Sequence, residues 1–370
     1  MNPTSPQSGQ PSTQPTSNPT SHAATAPRTL RCATVGVGKM GRHHARLYAT
    51  SEGCDLVGVV DGNAERAAKI TEEWGGKAFT SVRELIDHGV DAVTVATPTV
   101  THRAIVEPLL EAGIACLVEK PLAPDVAEAR AIADTAKRTG SLLQVGHVVR
   151  YDPVMVAVRE LLAGGTMQPR FIEIDRVSPM TFRSVDVGVV LDMMIHDLDV
   201  LLMLMGAEPE EIHANAVCVV GEAEDVCNAR LVFPAGKDGI RCTANVTASR
   251  LALKTERKIR LISEDAYVSA DFVEKKGTVV RKTANAAQLT DVRERLKRGE
   301  DLSGVNYLEL IAMEPLHVGA GEPLKLQMLD FLDAVRHNRR PLVNAEDGFA
   351  AVRTAERIVA AARAAGARMV

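Results

Sequence analysis

Cys32-Ala33-Thr34-Val35-Gly36-Val37-Gly38-Lys39-Met40-Gly41 reads as a buried strand that runs through a glycine turn into a helix. Each glycine has a reason to lack a side chain. Gly36 permits the tight turn, Gly38 lets backbone approach a pyrophosphate, and Gly41 lets the helix lie close on the strand. A helix opening here, with Lys39 and Met40 in its approach, turns free N–H groups and the positive end of its dipole toward phosphates. Such a loop is weak evidence alone, and its surroundings decide. Asp61 ends the next apolar run, 20 residues past Gly41. There a carboxylate can hydrogen-bond an adenine-ribose diol. The pattern predicts a dinucleotide site. A carboxylate at Asp61 repels a 2′-phosphate, so NAD is expected, with NADP admitted if Arg42 or Arg66 offsets that repulsion.

Outward from this loop, strands and helices alternate. Apolar runs at Cys32–Val37, Leu56–Val60, Ala92–Ala96, Ala115–Val118 and Leu142–Val145 are separated by helix-period segments at Asn63–Trp74, Ser81–His88, Val100–Ala112 and Pro124–Arg138. Continuous apolar strands need cover on both faces, which means a parallel sheet between helices. Residues 28–149 are therefore expected to form a doubly wound α/β Rossmann domain. After Pro153 the rhythm changes. In Ile240–Ser249, Cys242, Ala244, Val246 and Ala248 alternate with polar residues, the habit of an antiparallel sheet with one apolar face. Residues 150–370 are expected to be an α+β domain with a mostly antiparallel open sheet, whose C-terminal helices return toward the first domain. Asn285–Gly299 reads as an irregular surface excursion.

Residues 1–27 contain no Asp, Glu, Lys or Arg and are rich in Ser, Thr, Pro, Gln and Asn. Such a stretch cannot bury enough apolar surface to offset its ordering entropy, so a disordered tail is expected. It has neither the basic nor the apolar region of a secretory signal. With 43 Lys+Arg against 47 Asp+Glu and only 3% aromatics, the chain lacks the basic stripe of a nucleic-acid binder. No apolar run reaches the roughly 18 residues of a membrane span. The six cysteines include no CxxC pair, and a chain this long does not need disulfide staples, which points to a reducing cytoplasm.

Candidate chemistry gathers at strand ends, where ligands bind in open α/β sheets. Glu119-Lys120-Pro121 follows one strand, Thr97-Pro98 another, with His102 starting the next helix and His147 ending the fifth strand. Either Pro98 or Pro121 is open to a cis bond. In the second domain, Asp192, His196 and Asp199 fall at i, i+4 and i+7 of a helix and would share a face. A carboxylate beside an imidazole orients its tautomer and supports proton transfer near neutral pH. A structural histidine, or a metal site, would use the same spacing, although no further His or Cys lies close in sequence. His43 and His44 are expected at the surface or near phosphate.

Together these residues resemble the glucose–fructose oxidoreductase/inositol dehydrogenase/MocA (Gfo/Idh/MocA) family from about residue 30 to the C-terminus. The landmarks are Gly36 to Gly41, Asp61, Thr97-Pro98 with His102, Glu119-Lys120-Pro121, and Asp192 with His196. The stretches Gln144–Pro153 and Asp186–Asp197 are similar to a nucleotide-sugar branch, with departures at Val149, Tyr151 and Asp152, where relatives commonly carry an acid, Phe and Asn. The resemblance implies NAD-dependent oxidation of a sugar hydroxyl, the 3-hydroxyl of UDP-N-acetylglucosamine or a related nucleotide sugar. Lys120 and His196 would handle the proton, with Asp192 assisting, and no metal. His147, Tyr151 and the cations Arg150, Arg176 and Arg183 would border the substrate, because a guanidinium can bind phosphate bidentately. A homodimer or homotetramer is expected, and a pathway aminotransferase is a possible partner. Alternatives are a polyol or free-sugar dehydrogenase, a glycoside hydrolase using transient oxidation, and a non-catalytic cofactor-binding regulator.

Overall fold

Strands that are apolar on both sides find cover on both sides in the first half of the chain. The structure is a computed structural model describing residues 28–165, 167–182 and 187–369. The expected tail at 1–27 thus lies outside the described residues. Strands β1 (Leu30–Val35), β2 (Cys54–Val60), β3 (Lys77–Phe79), β4 (Ala92–Val95), β5 (Ala115–Val118) and β6 (Leu143–Val145) alternate with helices. These are α1 (Gly41–Thr50), α2 (Ala64–Trp74), α3 (Val82–His88), α4 (His102–Glu111) and α5 (Val126–Thr139). The parallel strands lie in the order β3-β2-β1-β4-β5-β6. The order reverses between β1 and β4, which opens a crevice at their carboxyl ends. Caps fix the helix starts: Asn63 accepts the Arg66 N–H, Ser81 that of Glu84 and Asp125 that of Glu128. Three-residue β3 is too short for its periodicity to show, and only Phe79 in it is buried.

The second sheet has eight strands: β7 (Phe171–Val177), β8 (Glu211–Val217), β9 (Val226–Ala235), β10 (Arg241–Ser249), β11 (Glu256–Ile262), β12 (Ala266–Asp271), β13 (Lys276–Lys282) and β14 (Ile311–Pro315). They lie in the order β14-β13-β12-β11-β7-β10-β9-β8. Only the β7–β10 pair is parallel. In β10, Cys242, Ala244, Val246 and Ala248 are buried, as the alternation predicts, and Ser249 at the strand's end is buried as well. The covered face of this sheet packs on α6 (Pro153–Ala163), α7 (Ile195–Met205) and the far half of a long C-terminal helix.

The 286–297 stretch is a helix, α8 (Ala286–Lys297), and not the irregular excursion that its polarity suggested. Asn285 and Gln288 form a capping box there, a signal present in the sequence. Helices α9 (Pro323–His337) and α10 (Ala345–Ala364) follow, and α10 ties the two sheets together. Met328, Phe331 and Leu332 of α9 pack in the core beneath β1 and β2. Phe349 and Val352 of α10 join the core of the first sheet, and Ala355, Ile358 and Ala362 that of the second. Among the described residues no helix is long and apolar enough to cross a membrane.

Candidate active site

The crevice between β1 and β4 deepens into a cleft of about 610 Å³ whose walls include Gly36, Gly38, Met40, Asp61, Thr97 and Lys120. Its glycines pass the test a dinucleotide imposes. Gly36 has φ +81°, and a Cβ there would meet the Ala96 carbonyl oxygen at 2.7 Å. A Cβ on Gly41 would lie 1.7 Å from the Gly36 oxygen, so helix and strand touch backbone to backbone. Gly38 differs: a Cβ there would have only Arg66 Nη1 within 4.0 Å among the described residues, and the residue lines the open cleft. Asp61 accepts the Val37 and Asn63 N–H groups, each at 2.8 Å, and lies 3.5 Å from Arg66. Those bonds hold the carboxylate at the β2 end. Pro98 also lines the cleft, while Lys39 is exposed and stands outside its walls.

Lys120 spans the two domains. Two residues past β5 and just before a cis Lys120–Pro121 bond, its ammonium donates to the Asp192 carbonyl at 2.7 Å and to its carboxylate at 3.2 Å. Asp192 lies in a single π-helical turn, Val190–Met194, that leads into α7. The turn is anchored at its start. Val190 N–H donates to the Glu224 carboxylate at 3.1 Å, and a Cβ on Gly188 would overlap that carboxylate at 2.1 Å. π-turns are rare and frequent at functional sites. Here it separates Asp192 from the straight-helix face predicted for Asp192, His196 and Asp199.

His196 is the second residue of α7, edge-on to His147 with ring centroids 6.5 Å apart. Burial first, then the charges of Lys120 and Arg176, holds the His196 imidazole well below its ordinary 6.5. His147 is fully buried, neither ring nitrogen has a hydrogen-bond partner among the described residues, and burial lowers its pKa too. His44 is not at the surface, one of the two placements expected of it. It is buried, and its Nε2 lies 2.9 Å from Glu119 Oε1. Burial raises the pKa of Glu119, but the His44 hydrogen bond and charge together with Lys120 outweigh it and hold the carboxyl below its usual value. The signal for His44 was its helical register with buried Gly41, Ala45 and Tyr48.

Several expected ligands have other work. Arg150 is buried and donates to both Asp199 oxygens, at 2.8 and 2.6 Å, and to the Leu342 carbonyl at 3.0 Å. Arg176 is buried and forks onto Asp197 at 2.7 and 2.6 Å. Neither guanidinium is free to fork onto a phosphate, which corrects both assignments. Tyr151 is likewise committed, its buried hydroxyl donating to Asp330 at 2.6 Å. His102 does not line the cleft. It is buried beneath the Thr97 loop, with ring nitrogens 3.1 Å from the Thr97 and Leu122 carbonyls, so it positions the loop. Arg183 lies outside the described residues.

A phosphate-ready turn at a topological switch point, with a strand-end lysine meeting a carboxylate of the second domain beside an imidazole, defines a two-domain, dinucleotide-dependent oxidoreductase. Residues 30–147 match the oxidoreductase family with the NAD-binding Rossmann fold, and residues 164–269 match the GFO/IDH/MocA C-terminal domain. The chain belongs to the Gfo/Idh/MocA oxidoreductase family. It is 40% identical over 244 residues to UDP-N-acetylglucosamine 3-dehydrogenase of Acidithiobacillus ferrooxidans, covering 66% of this chain and 74% of that enzyme. A solved structure of that enzyme superposes with a TM-score of 0.78 at 32% identity, covering 90% of this chain and 98% of the other. A scyllo-inositol 2-dehydrogenase of Bacillus subtilis is 35% identical over 48% of this chain and 55% of its own length.

Proposed function

We propose that the chain is an NAD-dependent sugar dehydrogenase acting on the 3-hydroxyl of UDP-N-acetylglucosamine or a closely related nucleotide sugar. The observation that carries this reading is the Lys120–Asp192 contact across the cleft mouth, with His196 alongside. Likeness to the Acidithiobacillus enzyme supports the choice of sugar. NAD, when bound, supplies the hydride acceptor. Gly36, Gly38, Met40 and Gly41 would hold its pyrophosphate, Asp61 its ribose diol, and Thr97 and Pro98 its inner half. Neutral His196 can take the hydroxyl proton because burial and neighbouring cations keep its lone pair free. Lys120, steered by Asp192, donates a hydrogen bond to the same oxygen and holds it in place.

Purified protein with NAD and UDP-N-acetylglucosamine should generate NADH, read by its near-ultraviolet absorbance. An aminotransferase trap should accompany the assay, because the ketone equilibrium is unfavourable. NADH formation from inositol or free glucose, with none from the nucleotide sugar, would replace the substrate by a polyol, the reading that the inositol dehydrogenase likeness favours. The same proposal places the enzyme in the cytoplasm as a homodimer or homotetramer, through the polar face of the second sheet. Light scattering tests that state. The product ketone suits an aminotransferase as the next enzyme.

A further inference from the structure

With Arg150 and Arg176 committed to carboxylates, a cation for an anionic substrate must come from elsewhere. Strands β7 and β11 are antiparallel, and Arg257 stands directly opposite Arg176. Opposed residues of an antiparallel pair project from the same sheet face. The row toward the strand interiors confirms which face this is, because Ile259 opposite Ile174 and Leu261 opposite Ile172 are all buried in the core. Arg257 therefore stands where the covered face runs out into the open, opposite the Arg176 that holds Asp197, the residue after His196 on α7.

Like charges directly opposed across strands destabilise a sheet. Asp197 answers only one of these two arginines, because both of its oxygens are taken by Arg176. The Arg257 carbonyl accepts the Phe272 N–H, but its guanidinium makes no hydrogen bond or ion pair among the described residues, and the residue is exposed. Burial of its stem and the Arg176 charge lower its pKa, against the weaker pull of Asp197 and Asp152. Asp152 is occupied in capping α6 through the Val154 N–H at 2.9 Å. Lys120 is already paired with Asp192. A guanidinium left without an anion beside a proton-accepting histidine needs a reason, and a negatively charged substrate supplies one.

We propose that Arg257 recognises a phosphate carried by the sugar whose hydroxyl His196 serves. This rests on the nucleotide-sugar reading above. The shared chemistry is a phosphoryl group on the anomeric oxygen, which a sugar 1-phosphate or a nucleoside diphosphate sugar would each provide. Arg257 offers a planar fork for it, which lysine cannot reproduce.

The test is calorimetric titration of UDP, and separately of N-acetylglucosamine 1-phosphate, into NADH-loaded wild type, Arg257→Ala and Arg257→Lys. NADH affinity and melting temperature serve as controls for folding. Arg257→Ala should weaken UDP binding about 10- to 100-fold, the range for losing a charge-assisted hydrogen bond. Arg257→Lys should recover part of it, and NADH affinity should stay unchanged. KM for UDP-N-acetylglucosamine should rise by the same factor with kcat within about twofold. Dependence on Arg257 for the 1-phosphate as strong as for UDP would identify a sugar phosphate as the minimal ligand. Equal UDP affinity in wild type and Arg257→Ala overturns the assignment, and so does wild type that binds neither probe. Arg257-dependent UDP binding without turnover of UDP-N-acetylglucosamine would leave Arg257 standing and reject the substrate. Turnover with an unchanged KM in Arg257→Ala would do the reverse.

Discussion

Lys120 holds its ammonium against Asp192 while His196, beside it, is kept uncharged by burial and three nearby cations, Lys120, Arg176 and Arg257. In the proposed mechanism that division gives hydrogen-bond donation to Lys120 and proton acceptance to His196. Lys120→Ala should lower kcat by about 10²–10⁴-fold, with NADH affinity retained in a fluorescence titration, since the phosphate turn is untouched. A base works only when unprotonated. Because the His196 pKa lies below 6.5, the acid limb of kcat/KM should fall below pH 6.5. A limb above that value in a stopped-time pH profile would exclude His196 as the base. His147 adds a stability effect of the same sign. Its folded pKa is depressed, so the unfolded chain binds the extra proton, and stability held above pH 6.5 is lost as pH falls through the folded value. Melting temperature should therefore drop on acidification, less steeply in His147→Gln. Lys120, Asp192 and His196 were legible because strand ends and helix starts are local features. The partners of Arg150 and Arg176 were not, since a carboxylate 49 or 21 residues away declares itself only in the folded chain.

The glycine turn and the π-turn are the elements that place chemistry, and each is held by a contact that leaves no room for a side chain. Gly41→Ala should both destabilise the protein, by about 1–3 kcal/mol, and abolish NADH binding. Its Cβ would meet the Gly36 oxygen and push α1 off β1. Gly38→Ala should spare stability and weaken NADH alone, because its Cβ would enter open cleft. Thermal melts paired with NADH titrations separate the two. Equal melting temperatures for both variants would contradict the backbone contact. Most of these elements could be read ahead of the structure. The turn announced itself by glycine spacing, and β10 by alternation. The π-turn did not, because its extra residue depends on Glu224 gripping the Val190 N–H from a loop 34 residues on. Periodicity assumes 3.6 residues per turn and misplaces Asp199 where a turn is wider.

At the scale of the whole molecule, the two sheets are joined by buried polar ties as well as by the shared core of α10. Arg150 sits just past β6, its carboxylate Asp199 is on α7, and its other hydrogen-bond partner, the Leu342 carbonyl, precedes α10. One guanidinium thus fixes the first domain's last strand, the helix carrying His196 and the returning C-terminal helix. Both charges are almost wholly enclosed, at 4% and 0% side-chain exposure. Desolvating two charges offsets most of their attraction, so the pair adds little net stability while remaining costly to break. Arg150→Met alone leaves Asp199 buried and unpaired, which should cost about 3–5 kcal/mol. Adding Asp199→Leu removes the orphaned charge and should restore most of that loss, a non-additivity readable in urea melts. The double variant also separates architecture from recognition. If Arg150 serves only to hold three segments together, its KM for the nucleotide sugar should stay within about threefold of wild type once stability returns. A KM that stayed tenfold or more above wild type in the restored double variant would return Arg150 to the substrate site.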